Sequence, residues 1–201
     1  MATDQAASGV GGPERELLVE WIRTAKKGDI ASYQKIYDAF APKVLNFIYR
    51  MLNSVEEAED LTQETFVTVY RKLGSLKEDA KFEPWLFRIA RNYVYQRYRS
   101  RPPAAVSIDQ IDEEGHEITQ LADERKTPDE AFEARELEHV VVRVIEELPE
   151  KYREVFVLSA LQHLKYERIA EILGRSLASV KTDIHRARLH VRKRVKDYLK
   201  V

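Results

Sequence analysis

Between Lys81 and Arg101 the chain reads KFEPWLFRIARNYVYQRYRSR. Six of these residues are aromatic, six are basic, and Glu83 is the single acid. Cations neutralise phosphates, and flat rings stack on unpaired bases. Single-strand binders combine the two, and a polar group such as Asn92 can read a base taken out of the stack. The same letters also describe an ordinary amphipathic helix. Phe82, Trp85 and Ile89 fall on one face, and Leu86, Ala90 and Tyr93 on another, as core residues would. Arg88, Arg91, Asn92, Arg97 and Arg99 cannot all be buried. The stretch therefore divides between packing and a wet basic face.

A second basic stretch is LKYERIAEILGRSLASVKTDIHRARLHVRKR, residues 164–194. Tyr166, Ile169, Ala170 and Leu173 make one apolar stripe. Gly174 marks a turn, and Ser176 is placed to cap a second helix with the stripe Val180, Ile184, Ala187 and Val191. This is a helix-turn-helix pattern. Ser176 and Ser179 are short and polar at the helix start, while Lys181, Thr182, His185, Arg186 and Arg188 lie off its apolar stripe. Residues 176–201 hold eight basic and two acidic residues. Short side chains let a helix approach base edges in the major groove, and the cations meet phosphates. The bland alternative is a helical hairpin with a solvated basic face. His185 and His190 are five apart and do not share a face, so they make no metal site.

The third group is acidic. Residues 54–64 contain five acids and no base. Glu56, Asp60, Gln63 and Glu64 lie away from the apolar stripe of their helix. Acids at a helix start complement its dipole, so the face could simply be wet. It could equally repel DNA and receive a basic protein partner. Residue types alone leave both readings open.

The elements that position these groups are all helical. No convincing strand alternation occurs, and seven glycines and seven prolines punctuate 201 residues. Leu17, Leu18, Trp21 and Ala25 predict a first helix that stops near Gly28, with Asp29 capping the next. That second segment carries Tyr33, Ile36, Tyr37 and Phe40, then Val44, Leu45, Phe47, Ile48 and Met51. Pro42 should kink or divide it. Ser54 and Glu57 form a capping box for a third helix that buries Ala58, Leu61, Thr65, Val69 and Leu73 before Gly74. The aromatic–basic stretch starts its own helix near Pro84. Residues 102–134 open with Pro-Pro and hold ten acids against two bases, which predicts a flexible acidic linker. The expected fold is all-α, with two small helical domains joined by that linker. Their boundaries are a tail over 1–14, a first domain over 15–101, the linker over 102–134 and a second domain over 135–201.

Composition narrows the function class. Thirty-three basic and 34 acidic residues leave a net charge of -1, so segregation of charge rather than its total carries the signal. The absence of cysteine removes disulfides, thiolate zinc sites and cysteine nucleophiles, and suits a reducing compartment. No apolar run approaches the ~20 residues of a membrane span. The first residues, MATDQAASGVGGPE, lack the basic and apolar regions of a secretory signal. The expectation is a cytoplasmic protein without membrane insertion. No metal cluster, phosphate-cradling loop or nucleophile–base pair points to catalysis, and no cofactor is implied.

Taken together, these segments resemble the extracytoplasmic-function (ECF) sigma factors of bacterial RNA polymerase, in the sigma-70 family. AEDLTQETF (58–66) is similar to the family's core-binding helix. FEPWLFRIARN (82–92) is similar to its promoter-melting helix. LPEKYREVFVL (148–158), followed by YERIAEILGRSLASVKTDIHRAR (166–188), is similar to its promoter-binding domain. The order and spacing match over about residues 15–200. The resemblance implies a sigma region 2 bundle and a sigma region 4 helix-turn-helix. It implies that Glu56, Asp60, Gln63 and Glu64 dock on the coiled coil of the polymerase's largest subunit, and that the flap of the second-largest subunit is also a contact. It places Lys81, Trp85, Arg88, Asn92, Arg97 and Arg99 at the melted minus-ten element, with Arg101 beside them. It places Ser176, Ser179, Lys181, Thr182, His185, Arg186 and Arg188 at the duplex minus-thirty-five element. The linker would lie in a polymerase channel that holds nucleic acid, and an anti-sigma factor is an expected partner.

Four departures stand out. Gln96 replaces a frequent Asp. Lys165 replaces a frequent Ser, which removes a helix cap. SLAS replaces a pattern that usually contains Pro and Gly. Asp183 replaces a frequent Arg, where an acid would repel phosphate unless it paired with Arg186 one turn on. The competing reading is a helix-turn-helix regulator that binds duplex DNA without polymerase. An enzyme ranks last.

Overall fold

The computed structural model describes residues 13–100 and 140–199, and every regular element among them is helical. The acidic linker and all of the tail but Pro13 and Glu14 lie outside the described residues. The first helix, α1 (Pro13–Ala25), begins on the proline that suits a first helical position. The chain turns at Gly28, whose φ of +95° strains any side chain. In the next helix, α2 (Ile30–Leu52), Asp29 caps the start by accepting the Ser32 N–H at 2.9 Å. Those Ser32 hydrogen bonds hold the Asp29 carboxyl below the usual carboxylate range.

Pro42 does not divide this segment, contrary to the sequence expectation: α2 runs unbroken from Ile30 to Leu52. The reason is where the proline sits. Pro42 is exposed, and so is Asp38, whose carbonyl it leaves without an intrahelical partner. Water can satisfy that carbonyl. The buried stripe of Ile36, Phe40, Val44, Phe47 and Ile48 continues across the break and holds both sides to the same core.

Ser54 starts α3 (Val55–Lys72) as predicted, its Oγ accepting the Glu57 N–H at 3.3 Å. Ala58, Leu61, Thr65, Val69 and Leu73 are all buried. A 3-10 turn, Leu73–Ser75, ends the helix. The aromatic–basic stretch forms α4 (Phe82–Ser100), which starts at Phe82 rather than Pro84. Phe82, Leu86, Phe87, Ala90 and Val94 sink into the core, and Trp85 and Ile89 are half-buried. Phe87 meets Phe47 edge-on at 5.6 Å, and Phe82 meets Phe40 at 5.4 Å. Each such buried ring contributes about 1.5–3 kcal/mol relative to exposure.

The second half holds α5 (140–146), α6 (Glu150–Phe156), α7 (Tyr166–Leu173) and α8 (Leu177–Leu199). A π-helical turn, Val157–Leu161, extends α6. Gly174, at φ +63°, turns the chain from α7 into α8. Val180, Ile184 and Ala187 pack with Ile169, Ile172 and Leu173, so both predicted stripes face one core. Lys165 makes no side-chain cap at the start of α7, as its replacement of Ser implies.

The two halves touch. α4 packs on α7, and α2 on α6. Arg91 Nε donates to Glu154 Oε1 at 2.5 Å, and the Tyr95 hydroxyl to Glu154 Oε2 at 3.2 Å. Arg153 Nη1 donates to the Met51 carbonyl at 3.0 Å, and Arg168 Nη2 to that of Ala80 at 3.1 Å. Arg88 Nη2 donates to the carbonyl of Glu171. Burial pushes the Glu154 carboxyl up, with Arg91 and Tyr95 pulling it back. Burial and the Glu154 charge push the Tyr95 hydroxyl up to about 12.

Candidate functional site

Three faces emerge from this packing. On α3 the core takes Ala58, Leu61, Thr62, Thr65, Phe66 and Val69. What remains outward, at helical spacing, is Glu56, Asp60, Gln63 and Glu64, all exposed. Sequence reading missed the face's continuation: Val67 and Tyr70 are 48% and 56% exposed, too much for residues of their size. Tyr70 is braced edge-on by Tyr33 at 4.9 Å, and Tyr33 is anchored by donating to the Phe66 carbonyl at 2.6 Å. Their positions one and two turns beyond Gln63 were the available signal. The face is an acidic, hydrogen-bonding strip that ends in apolar groups.

On α4 the predicted residues separate. Trp85, Asn92 and Arg99 follow one outward line, with Asn92 and Arg99 exposed and Trp85 half-buried. Lys81 stands exposed at its start, paired with Glu78 at 2.8 Å. Arg88 lies toward the second half, on the Glu171 carbonyl. Arg97 is half-buried and meets Glu57 of α3 at 3.4 Å. Arg91, which the reading did not assign to DNA, serves the seam and covers the Tyr95 ring at 4.5 Å.

On α8, Ser176, Lys181, Thr182, His185, Arg186 and Arg188 are exposed, and Ser179 is half-buried. Ser176 Oγ accepts the Ser179 N–H at 3.2 Å, the cap predicted for it. Arg188 lies 6.0 Å from the Tyr166 ring. Asp183 corrects an expectation. It is 2% exposed, points away from this surface, and pairs with Arg175 and with Lys151 at 3.1 Å rather than with Arg186. Its neighbours Val180, Ile184 and Ala187 are core residues, so its position on the helix is an inward one. Burial opposes its charge, but hydrogen bonds from Arg175 and Lys151 outweigh burial and keep the carboxyl below the usual range. Arg175 is eight residues away across a turn, outside any helical spacing rule. Among the described residues no cluster of three or more His, Cys, Asp or Glu could hold a metal. No helix there is long and apolar enough to cross a membrane.

Comparison with known proteins gives the class first: residues 36–102 match the sigma-70 region 2 family and residues 138–191 the sigma-70, region 4 family. The ECF RNA polymerase sigma factor SigW of Bacillus subtilis is 36% identical over 183 residues, covering 90% of this chain and 98% of that protein. The ECF RNA polymerase sigma-E factor of Escherichia coli is 32% identical, covering 92% and 96%. The chain belongs to the ECF sigma factors of the sigma-70 family. It is an alternative sigma factor that directs transcription initiation. Its fold is shared with CnrH, solved in complex with the cytosolic domain of CnrY, at 21% identity and a TM-score of 0.67, covering 90% of this chain and 98% of that one. It is shared as well with the sigma factor RpoE of Bartonella quintana, solved with the anti-sigma factor NepR, at 21% identity and a TM-score of 0.64, covering 82% and 96%.

Proposed function

We propose that the three faces divide the work of initiation. The strip Glu56, Asp60, Gln63 and Glu64 docks on the coiled coil of the polymerase's largest subunit. The outward line of α4, with Lys81, Trp85, Asn92 and Arg99, meets the melted minus-ten strand, where Asn92 reads a base and the cations follow phosphates. Arg88 and Arg97 join it once their present partners release them. The exposed side of α8 enters the duplex major groove at the minus-thirty-five element. The chain performs no chemistry of its own; binding energy does the work.

The observation that carries this reading is the separation of charge. An acidic face on α3 stands open and clear of the DNA-facing cations of α4 and α8, so protein and nucleic acid can be engaged together. The acidic linker, a place in a polymerase channel, contact with the flap and action in the cytoplasm belong to the same proposal. The two structural neighbours, each solved with a protein partner, favour an anti-sigma factor as a further one.

The test is transcription by purified bacterial core polymerase, with and without the chain, on DNA from its own genome. Discrete start sites sharing an upstream sequence are expected. Duplex binding by the chain alone, with no binding to core, would replace the proposal with a polymerase-independent regulator.

A further inference from the structure

The buried Asp183 lies inside the helix that the proposed function sends to the duplex, and it touches no DNA-facing surface. Both of its oxygens are occupied: Oδ2 by Arg175 Nη2 and Oδ1 by Lys151 Nζ at 3.1 Å. An ionised carboxylate at 2% exposure persists only with such partners. The arrangement has two effects on the reading face. First, it withdraws cations. Arg175 stands in the turn before α8 and Lys151 in α6, and a free guanidinium or ammonium there would add sequence-independent attraction to phosphates. Second, it aims a hydroxyl. Arg175 Nη2 also donates to Ser179 Oγ at 2.7 Å. A guanidinium is a donor only, so Ser179 Oγ is the acceptor in that bond. Its own proton has no acceptor among the described residues, while its N–H is tied to Ser176. Ser179 thus offers the groove a donor.

We propose that Asp183, acting through Arg175, is a positioning residue for promoter reading: it fixes Ser179 as a hydrogen-bond donor and keeps the Arg175 and Lys151 cations off the phosphates. The matching base edge carries an acceptor, namely guanine O6 or N7, adenine N7 or thymine O4, and not the cytosine amino group. This rests on the reading that α8 enters the duplex. It trades raw affinity for discrimination.

The test uses holoenzyme assembled from the full-length chain and core polymerase, on a promoter duplex taken from the mapped start sites and on versions with single base pairs of the upstream element replaced. Asp183→Asn is expected to steepen the salt dependence of binding by about one charge for each cation released. It is expected to cost about tenfold in discrimination at the base pair facing Ser179. Arg175→Gln should lose the same discrimination without the steeper slope, and Ser179→Ala should lose it at the same base pair alone. Uniformly weaker binding to every duplex, with an unchanged slope, would mark Asp183 as purely structural and overturn the inference. Should Asp183→Asn fail to fold, Arg175→Gln decides: full discrimination in that variant also overturns it. Wild-type holoenzyme indifferent to the upstream element would instead remove the role of α8 in DNA reading, and this inference with it.

Discussion

Asp183 and Asn92 are both polar residues on helices that face nucleic acid in the proposed function, and their surroundings assign them opposite tasks. Asp183 is enclosed and ion-paired; Asn92 is exposed and free to meet a base. The sign of the Asp183 effect on stability follows from its pKa, which lies below the ordinary 3.8. A carboxyl that is more acidic folded than unfolded stabilises the fold above pH 3.8, and the contribution is lost as the pH falls through the folded-state value. The stability gap between wild type and Asp183→Asn, followed by urea unfolding, should be constant at higher pH and close below 3.8. A gap that persists undiminished at the acid end would mean the ion pairs are not its source. Asn92→Ala should leave polymerase binding and stability close to wild type and reduce promoter opening about tenfold, read by permanganate reactivity of unpaired thymines. Equal reactivity would remove Asn92 from strand capture.

Among the elements, α2 and α3 show what a helix tolerates and what it presents. Pro42 costs α2 a hydrogen bond on its wet side. Pro42→Ala should therefore stabilise the protein by about 1–3 kcal/mol, seen as a higher urea midpoint at unchanged slope. No gain would mean that water already compensates fully for the lost bond. On α3, Asp60→Lys with Glu64→Lys changes only exposed positions, so helicity should stay native while polymerase binding weakens a hundredfold or more, about 3 kcal/mol, in a competition against wild-type chain. Native affinity would return the face to a solvated helix start. Most of this level was legible in the sequence, because apolar residues at spacings of three and four define a buried face wherever they occur. Asp29, Ser54 and Ser176 announced their helix starts through local chemistry. Pro42 misled because a proline's cost depends on which side of the helix it faces. The Arg175–Asp183 bond escaped because a turn had brought together residues that no helical period relates.

In the whole molecule, the contact between the halves rests on residues 40 to over 100 positions apart, which no local pattern joins. Glu154 is its ionic centre, 4% exposed at the side chain and shared by Arg91 and Tyr95. Removing it would leave Arg91, one-quarter exposed, to turn toward water, so the cost stays below that of a fully buried pair. Glu154→Ala should lower stability by about 1–3 kcal/mol and increase the radius of gyration in small-angle scattering. A variant as compact and as stable as wild type would show that apolar packing alone holds the seam.

Three of the arginines at that seam choose a different kind of acceptor. Arg88, Arg153 and Arg168 donate to the backbone carbonyls of Glu171, Met51 and Ala80. A carbonyl is present whatever side chain its residue carries. The accepting positions can therefore drift in identity, generation after generation, without losing these bonds, so long as the helices keep their course. The donating positions have no such latitude. Selection on this contact falls on one partner of each pair, and a record of tolerated substitutions would be lopsided: dense at 51, 80 and 171, sparse at 88, 153 and 168.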